Sequence, residues 1–192
     1  VTIQLTRWPS YWRRALNWGI TVGSVFLCLL VLPTRFPGMS LLDVGPNWLL
    51  VWVVAWSVKR TMLEGALAGL TLGLIQDGMT APDPTHALSL VAIGVITARL
   101  QKQRYIQEDF ISIALIVFGM AVLAETITAL QFSLHTILAS PEMVERDLGS
   151  IWLYHQRIAL ASAILSSLWA PVVYYPLNRW WERFAEIDQP QA

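Results

Sequence analysis

The chain has 192 residues, 55% of them hydrophobic and only 14% charged, and its thirteen basic and thirteen acidic side chains cancel. A water-soluble domain carries about 25% charged residues. This balance, with a mean hydropathy of +0.52, therefore excludes a soluble globule, a disordered chain and a nucleic-acid binder. Cys28 stands alone, which excludes an intrachain disulfide and a thiolate metal site. What remains is a multi-spanning membrane protein, expected as one integral membrane domain over residues 1–192.

A hydrocarbon core about 30 Å thick asks for roughly 20 apolar residues per spanning helix. The stretch 15–34 carries no charge and follows Arg7, Arg13 and Arg14. It is long, lacks a small-residue cleavage site and stops at Pro33, so it reads as an uncleaved first span. The second, 46–58, is short. Pro46 suits its first turn, and Lys59 and Arg60 close it. Leu41, Leu42 and Val44 are expected to fill the outer part of that layer as an irregular or re-entrant piece. The third span, 61–79, contains Glu64, Gln76 and Asp77, and the fourth, 84–99, ends at Arg99. The fifth, 110–138, is interrupted by Glu125. The sixth, 157–178, carries Pro171 and Pro176 as expected kinks that neighbouring helices accommodate. None of these runs alternates as the strands of a β-barrel do. The expected fold is all-α, a polytopic bundle of six transmembrane helices.

Arg7, Arg13, Arg14, Lys59, Arg60, Arg99, Lys102, Arg104, Arg179 and Arg183 fall on one side of this layout, against Arg35, Arg146 and Arg157 on the other. The positive-inside rule then places both termini in the cytoplasm. Trp8, Trp12, Trp18, Trp180 and Trp181 gather at the same boundary and suit an interfacial belt. The segment from Pro141 to Tyr154, with Glu142, Glu145, Arg146 and Asp147, reads as an external loop with room for a short surface helix.

Gly65, Gly69 and Gly73 recur every four residues in the third span. Small residues at that spacing let two helix backbones approach closely in lipid. Asp77, one step further, shares the stripe. Two readings stay open: a packing seam within this chain, or a contact face for a partner's helix. Ionisable groups inside a membrane pair with one another or line a cavity. Asp77 lies about 24 Å along its helix from Thr61, and Glu125 about 22 Å from Phe110. Both therefore belong to the outer half, with Asn47, His86 and Arg157 expected at the same level. The expectation is one polar cluster there, with Arg157 or His86 as counter-charge. It serves as a structural network, or as a pocket for a ligand or a partner's polar group. Glu64, four residues after Arg60, reads as a local ion pair.

Nothing in the sequence points to catalysis, a cofactor or a metal. His86, His135 and His155 are scattered, and no His-Glu-x-x-His, glycine-rich phosphate loop or Gly-x-Ser-x-Gly elbow occurs. The paired Glu142 and Glu145 read as a solvated loop face.

Three segments together resemble the rod shape-determining protein MreD family. They are Gly45-Pro46-Asn47-Trp48-Leu49-Leu50 with Trp52 and Trp56, the glycine-spaced helix ending Gly73-Leu74-Ile75-Gln76-Asp77, and Leu168-Trp169-Ala170-Pro171 followed by Arg179 and Arg183. The likeness covers roughly residues 45–183. It departs after Asp77, where Ala81-Pro82-Asp83-Pro84-Thr85-His86 replaces the family's glycine and Leu-Gly pair. The resemblance implies a fold like the substrate-binding subunits of energy-coupling-factor transporters. It also implies a non-enzymatic adaptor of the bacterial cell-elongation machinery in the cytoplasmic membrane. Such an adaptor would bind MreC directly and couple through it to MreB, RodA and a penicillin-binding transpeptidase that build lateral peptidoglycan. Pro46, Asn47, Trp48, the three glycines and Asp77 are the structural or partner-binding candidates it carries over. The competing expectation is a vitamin-like small-molecule binding subunit of a transporter, with a pocket at the level of Asn47, Asp77 and Glu125.

Overall fold

A computed structural model of the chain describes residues 9–34, 39–80, 86–102, 109–138 and 148–188. The described residues are all-helical, with six helices: α1 (Ser10–Val31), α2 (Trp48–Ser57), α3 (Met62–Thr80), α4 (His86–Lys102), α5 (Phe110–Leu138) and α6 (Leu148–Asp188). Three of them, α1, α5 and α6, are long and apolar enough to cross a membrane, which points to a membrane protein. The segments of α2 and α4 are apolar but shorter. In α3, 19 residues long, Glu64, Gln76, Asp77 and four glycines dilute the hydropathy.

At the centre stands α2, against which all five other helices pack. Its sequence is apolar all round, and a helix without a polar face must be buried on every side. Leu49, Leu50 and Val53 are completely inaccessible, and Val51, Trp52, Val54 and Ala55 nearly so. Two antiparallel hairpins, α3–α4 and α5–α6, enclose it. The first helix, α1, packs on α2 and more lightly on α6. Polar side chains such as Thr21, Gln76, Ser89, Thr97, Thr128 and Ser166 are buried, whereas Phe26, Leu27, Leu63, Ile111, Leu115 and Leu168 are exposed. A soluble bundle rarely exposes so much apolar surface. Lipid as the surrounding solvent explains both halves of that distribution.

The helices depart most from the expected spans at α6. The sixth span, expected over 157–178, is the middle of a 41-residue helix, about 61 Å long at 1.5 Å per residue. It continues through Pro171 and Pro176. Residues 148–154, expected in an external loop, form its first turns, and the rest of that loop, with Glu142, Glu145, Arg146 and Asp147, lies outside the described residues. Ahead of α2, Leu41 and Val44 exchange two backbone hydrogen bonds of 2.9 and 3.0 Å around Leu42 and Asp43. Both central residues have positive φ, 55° and 64°, the geometry of a tight reversal that L-residues adopt at a cost. The irregular piece before the second span is therefore a hairpin turn.

Trp180 and Trp181 make contacts within the bundle. Trp181 packs edge-on against Trp52 and Trp56, with ring centroids 6.3 and 5.1 Å away, and its indole N–H donates to Thr21. The indole of Trp180 donates to Asn17 at 3.1 Å. These rings clamp the last turns of α6 to α1 and α2. Trp12 and Trp18 remain exposed on α1, and Trp8 lies outside the described residues.

Candidate functional site

The glycine stripe is a helix–helix contact within the chain. A Cβ built on Gly65 would stand 2.5 Å from the carbonyl oxygen of Gly94, and one on Gly69 would meet the backbone of Leu90 and Val91. On Gly73 it would meet the backbone of Ala87 and the His86 carbonyl. The facing atoms belong to backbone, which cannot swing aside as a long side chain does. All three glycines are buried on the α4 side. The surface offered to a partner in one of the two sequence readings is thus occupied by α4. Gly94, the reciprocal glycine on α4, has no repeating partner in its own helix and gave no signal in the sequence.

Asp77 ends this seam by capping the facing helix. One carboxylate oxygen accepts the His86 backbone N–H at 2.8 Å and stands 2.7 Å from His86 Nδ1. The other accepts the Ala87 N–H at 3.0 Å. The first N–H groups of a helix have no partner within it, and here a carboxylate from the neighbouring helix supplies one. Negative charge at that position also suits the helix dipole. His86 is thus the counter-group of Asp77.

Glu125 lies elsewhere. It faces His155 of α6 at 3.4 Å, both side chains largely buried. Ser166, on the same helix, accepts the backbone N–H of Asn47 at 2.9 Å, so about 17 Å of α6 separates the level of Asn47 from that of His155. The single outer cluster expected from helix depth does not form, because α5 and α6 pair in a register displaced from the rest of the bundle. Arg157, expected as counter-charge, is exposed on α6. His155 takes that place, although its position in the sequence had marked it only as a scattered histidine. A cavity of about 340 Å³ beside this pair is lined by Glu125, Thr126, Trp152, His155 and Gln156 among others.

Asn47 is the N-cap of α2, its side-chain oxygen accepting the Leu50 N–H at 3.0 Å, a role for which asparagine is among the best residues. Trp48 is buried and packs against Trp169 with centroids 5.8 Å apart. Pro46 stands just before the cap and accepts a backbone hydrogen bond from Trp48. Glu64 is tied to Thr61 twice over. Its carboxylate accepts the Thr61 N–H and hydroxyl, each at 2.9 Å, and its own N–H donates to the Thr61 hydroxyl at 3.3 Å. This is a capping box, legible as Thr-x-x-Glu. The expected ion pair with Arg60 is present as well, at 3.6 Å.

At the same end of the bundle, Lys59 pairs with Glu182 of α6, and Arg13 donates to the Ile187 carbonyl at 3.0 Å. Lys59 lowers the Glu182 carboxyl below its ordinary value by hydrogen bonding and by its charge, more than desolvation raises it.

No protein-family model, curated protein or solved structure matches this chain.

Asn47, Asp77 and Glu125 are each engaged by separate partners. What the arrangement does chemically is fix helices to one another. Asp77 with His86 holds α3 to α4, Asn47 with Ser166 holds α2 to α6, and Glu125 with His155 holds α5 to α6.

Proposed function

We propose that this chain is a non-catalytic adaptor of the bacterial lateral cell-wall synthesis machinery, similar in role to MreD. Its six helices would cross the cytoplasmic membrane with both termini inside. The observation that carries the reading is where the three resembling segments lie in the fold. Pro46-Asn47-Trp48 opens the central helix, Trp169 of the third segment packs against Trp48, and the glycine stripe with Asp77 joins α3 to α4. The segments that carry the likeness are those that build the frame. The contacts of Arg13 and Lys59 with the end of α6 gather basic residues at one end, in keeping with cytoplasmic placement there. The 10 residues of α2 cover about 15 Å, and the turn over residues 41–44 fills the remaining outer layer.

An adaptor of this kind works by being held. It offers wide apolar helix faces on α1, α5 and α6 to a single-span partner, while its own polar groups are spent on internal contacts. The test is recovery of MreC. The full chain, tagged and extracted in mild detergent from a rod-shaped bacterium that makes it, is expected to bring MreC down in stoichiometric amount. Its depletion is expected to round the cells. Recovery of a folded chain without MreC, from cells that stay rod-shaped on depletion, would refute the adaptor reading. A vitamin-like compound retained through purification would support the transporter-subunit reading instead.

A further inference from the structure

A cleft of about 610 Å³ opens between α1 and α3 at the basic end of the bundle, floored by Trp52 and Trp56 of α2. It exists because α1 packs on α2 and α6 and stands off α3. Its volume falls within the roughly 300–1,000 Å³ of small-ligand sites. The lining changes character along its length. Arg14, Arg60 and Glu64 stand at one end, and beyond them the walls are mostly apolar, with Asn17, Thr21 and Thr71 among them, as far as Val25 on α1 and Leu72 on α3.

Length decides what fits. From Arg14 to Val25 the cleft follows α1 for about 17 Å, close to half of a hydrocarbon core about 30 Å thick. A partner's transmembrane helix needs both leaflets, whereas one lipid needs only one. Charge decides the headgroup. Two guanidinium groups face one carboxylate, and that carboxylate is already bound by Thr61 and Arg60. The Arg60 guanidinium lies 4.3 Å over the Trp56 ring. Arg14 is exposed, with no hydrogen bond or ion pair among the described residues. A phosphodiester at the mouth would give Arg14 a partner and bridge the two cations, with an acyl chain running past Ala68 toward Leu72.

We propose that this cleft binds one anionic phospholipid of the leaflet on the basic side, through Arg14 and Arg60 at its phosphate and the apolar walls along one acyl chain. The inference rests on the membrane reading of the helices and is independent of any protein partner, so it is tested on the purified chain alone. The full chain is placed in bilayer discs of equal parts phosphatidylglycerol and phosphatidylcholine, and retained lipid is read by native mass spectrometry. The wild type is expected to hold one phosphatidylglycerol in preference to phosphatidylcholine. Each arginine near an anionic headgroup contributes about fivefold (about 1 kcal/mol), so R14Q/R60Q should lose about thirtyfold in that preference. Ala68→Phe, which fills the cleft, should release both lipids while thermal unfolding stays near wild type. If Arg60→Gln impairs folding, Arg14→Gln alone reads the loss at about fivefold. Equal retention of the two lipids by the wild type, or undiminished preference in the arginine variants, overturns the proposal. Capture of a partner protein's helix by a photoreactive side chain at Leu67 in cells, in place of lipid, overturns it as well.

Discussion

Substituting Gly69 by alanine adds a single methyl group at the tightest of the three α3 glycines in the α3–α4 seam. That Cβ would stand 2.5 Å from the carbonyl carbon of Leu90 and 2.7 Å from the amide nitrogen of Val91, against an ordinary contact of 3.4–4 Å. The two helices must therefore part locally by about 1 Å, a gap that forfeits a quarter to a half of the dispersion well at each affected contact. Overpacking of this kind costs about 1–3 kcal/mol, and the obstruction is backbone, which places Gly69 in the upper part of that range. Alanine recovers about 1 kcal/mol of helix propensity, leaving a net loss of about 1–2 kcal/mol. For a chain of this size, at 2–4 °C per kcal/mol, Tm should fall by about 2–8 °C. The assay is thermal unfolding of the purified chain in mild detergent, followed by tryptophan fluorescence. The control is Gly119→Ala, where nothing lies within 4 Å of the added methyl, and which should melt at or slightly above wild type. Because no partner is present, a loss at Gly69 reports the internal seam and not an interface. If Gly69→Ala melts with Gly119→Ala, the α3 and α4 backbones are not in contact and the packing argument fails.

Asp77→Ala should lower Tm more than Asp77→Asn. Alanine strands two backbone N–H groups of α4 at a cost of about 1–3 kcal/mol, whereas asparagine keeps one acceptor oxygen for them; equal losses would mean that the cap is not where the stability lies. Glu125→Leu and His155→Leu should each destabilise more than the double variant, since removing one member of a buried pair leaves the other uncompensated. A double-mutant cycle reads this directly, and additive losses would remove the pairing. Glu182, whose carboxyl is held below its ordinary value of 4.5 by Lys59, contributes stability that is fully present above that value and is lost as pH falls through its depressed one. The pair is exposed, so the difference in stability between wild type and Glu182→Gln should be only about 0.2–1 kcal/mol near neutral pH. It should shrink in acid and in high salt, and a difference that grows in acid would contradict the assignment.

Composition and apolar run length, read from the sequence alone, determined that the chain is helical and suited to lipid, and they located six helices within a few residues at most of their ends. Local chemistry was read correctly at the Arg60–Glu64 pair, whose partners lie four residues apart. The Asn47 cap and the Thr61–Glu64 box are just as local, but Asn47 was expected in a polar cluster and Glu64 in the ion pair alone. The glycine spacing told that α3 packs closely against something. Which helix it meets is a question of tertiary position, and α4 answers it through Gly94, Leu90 and Ala87.

Depth along each helix, counted from its own cytoplasmic end, placed Asp77 and Glu125 together. That count assumes parallel helices starting at one plane. The displaced register of α5 and α6 breaks the assumption and gives Glu125 to His155, leaving Arg157 exposed. The extension of α6 to Leu148 was hidden for a related reason. Polar residues such as Gln156 and Arg157 end an apolar run without ending a helix, because backbone hydrogen bonds continue wherever a neighbouring helix supports them. Sequence fixes which surfaces seek burial, but only the packing of all six helices decides which of them find each other.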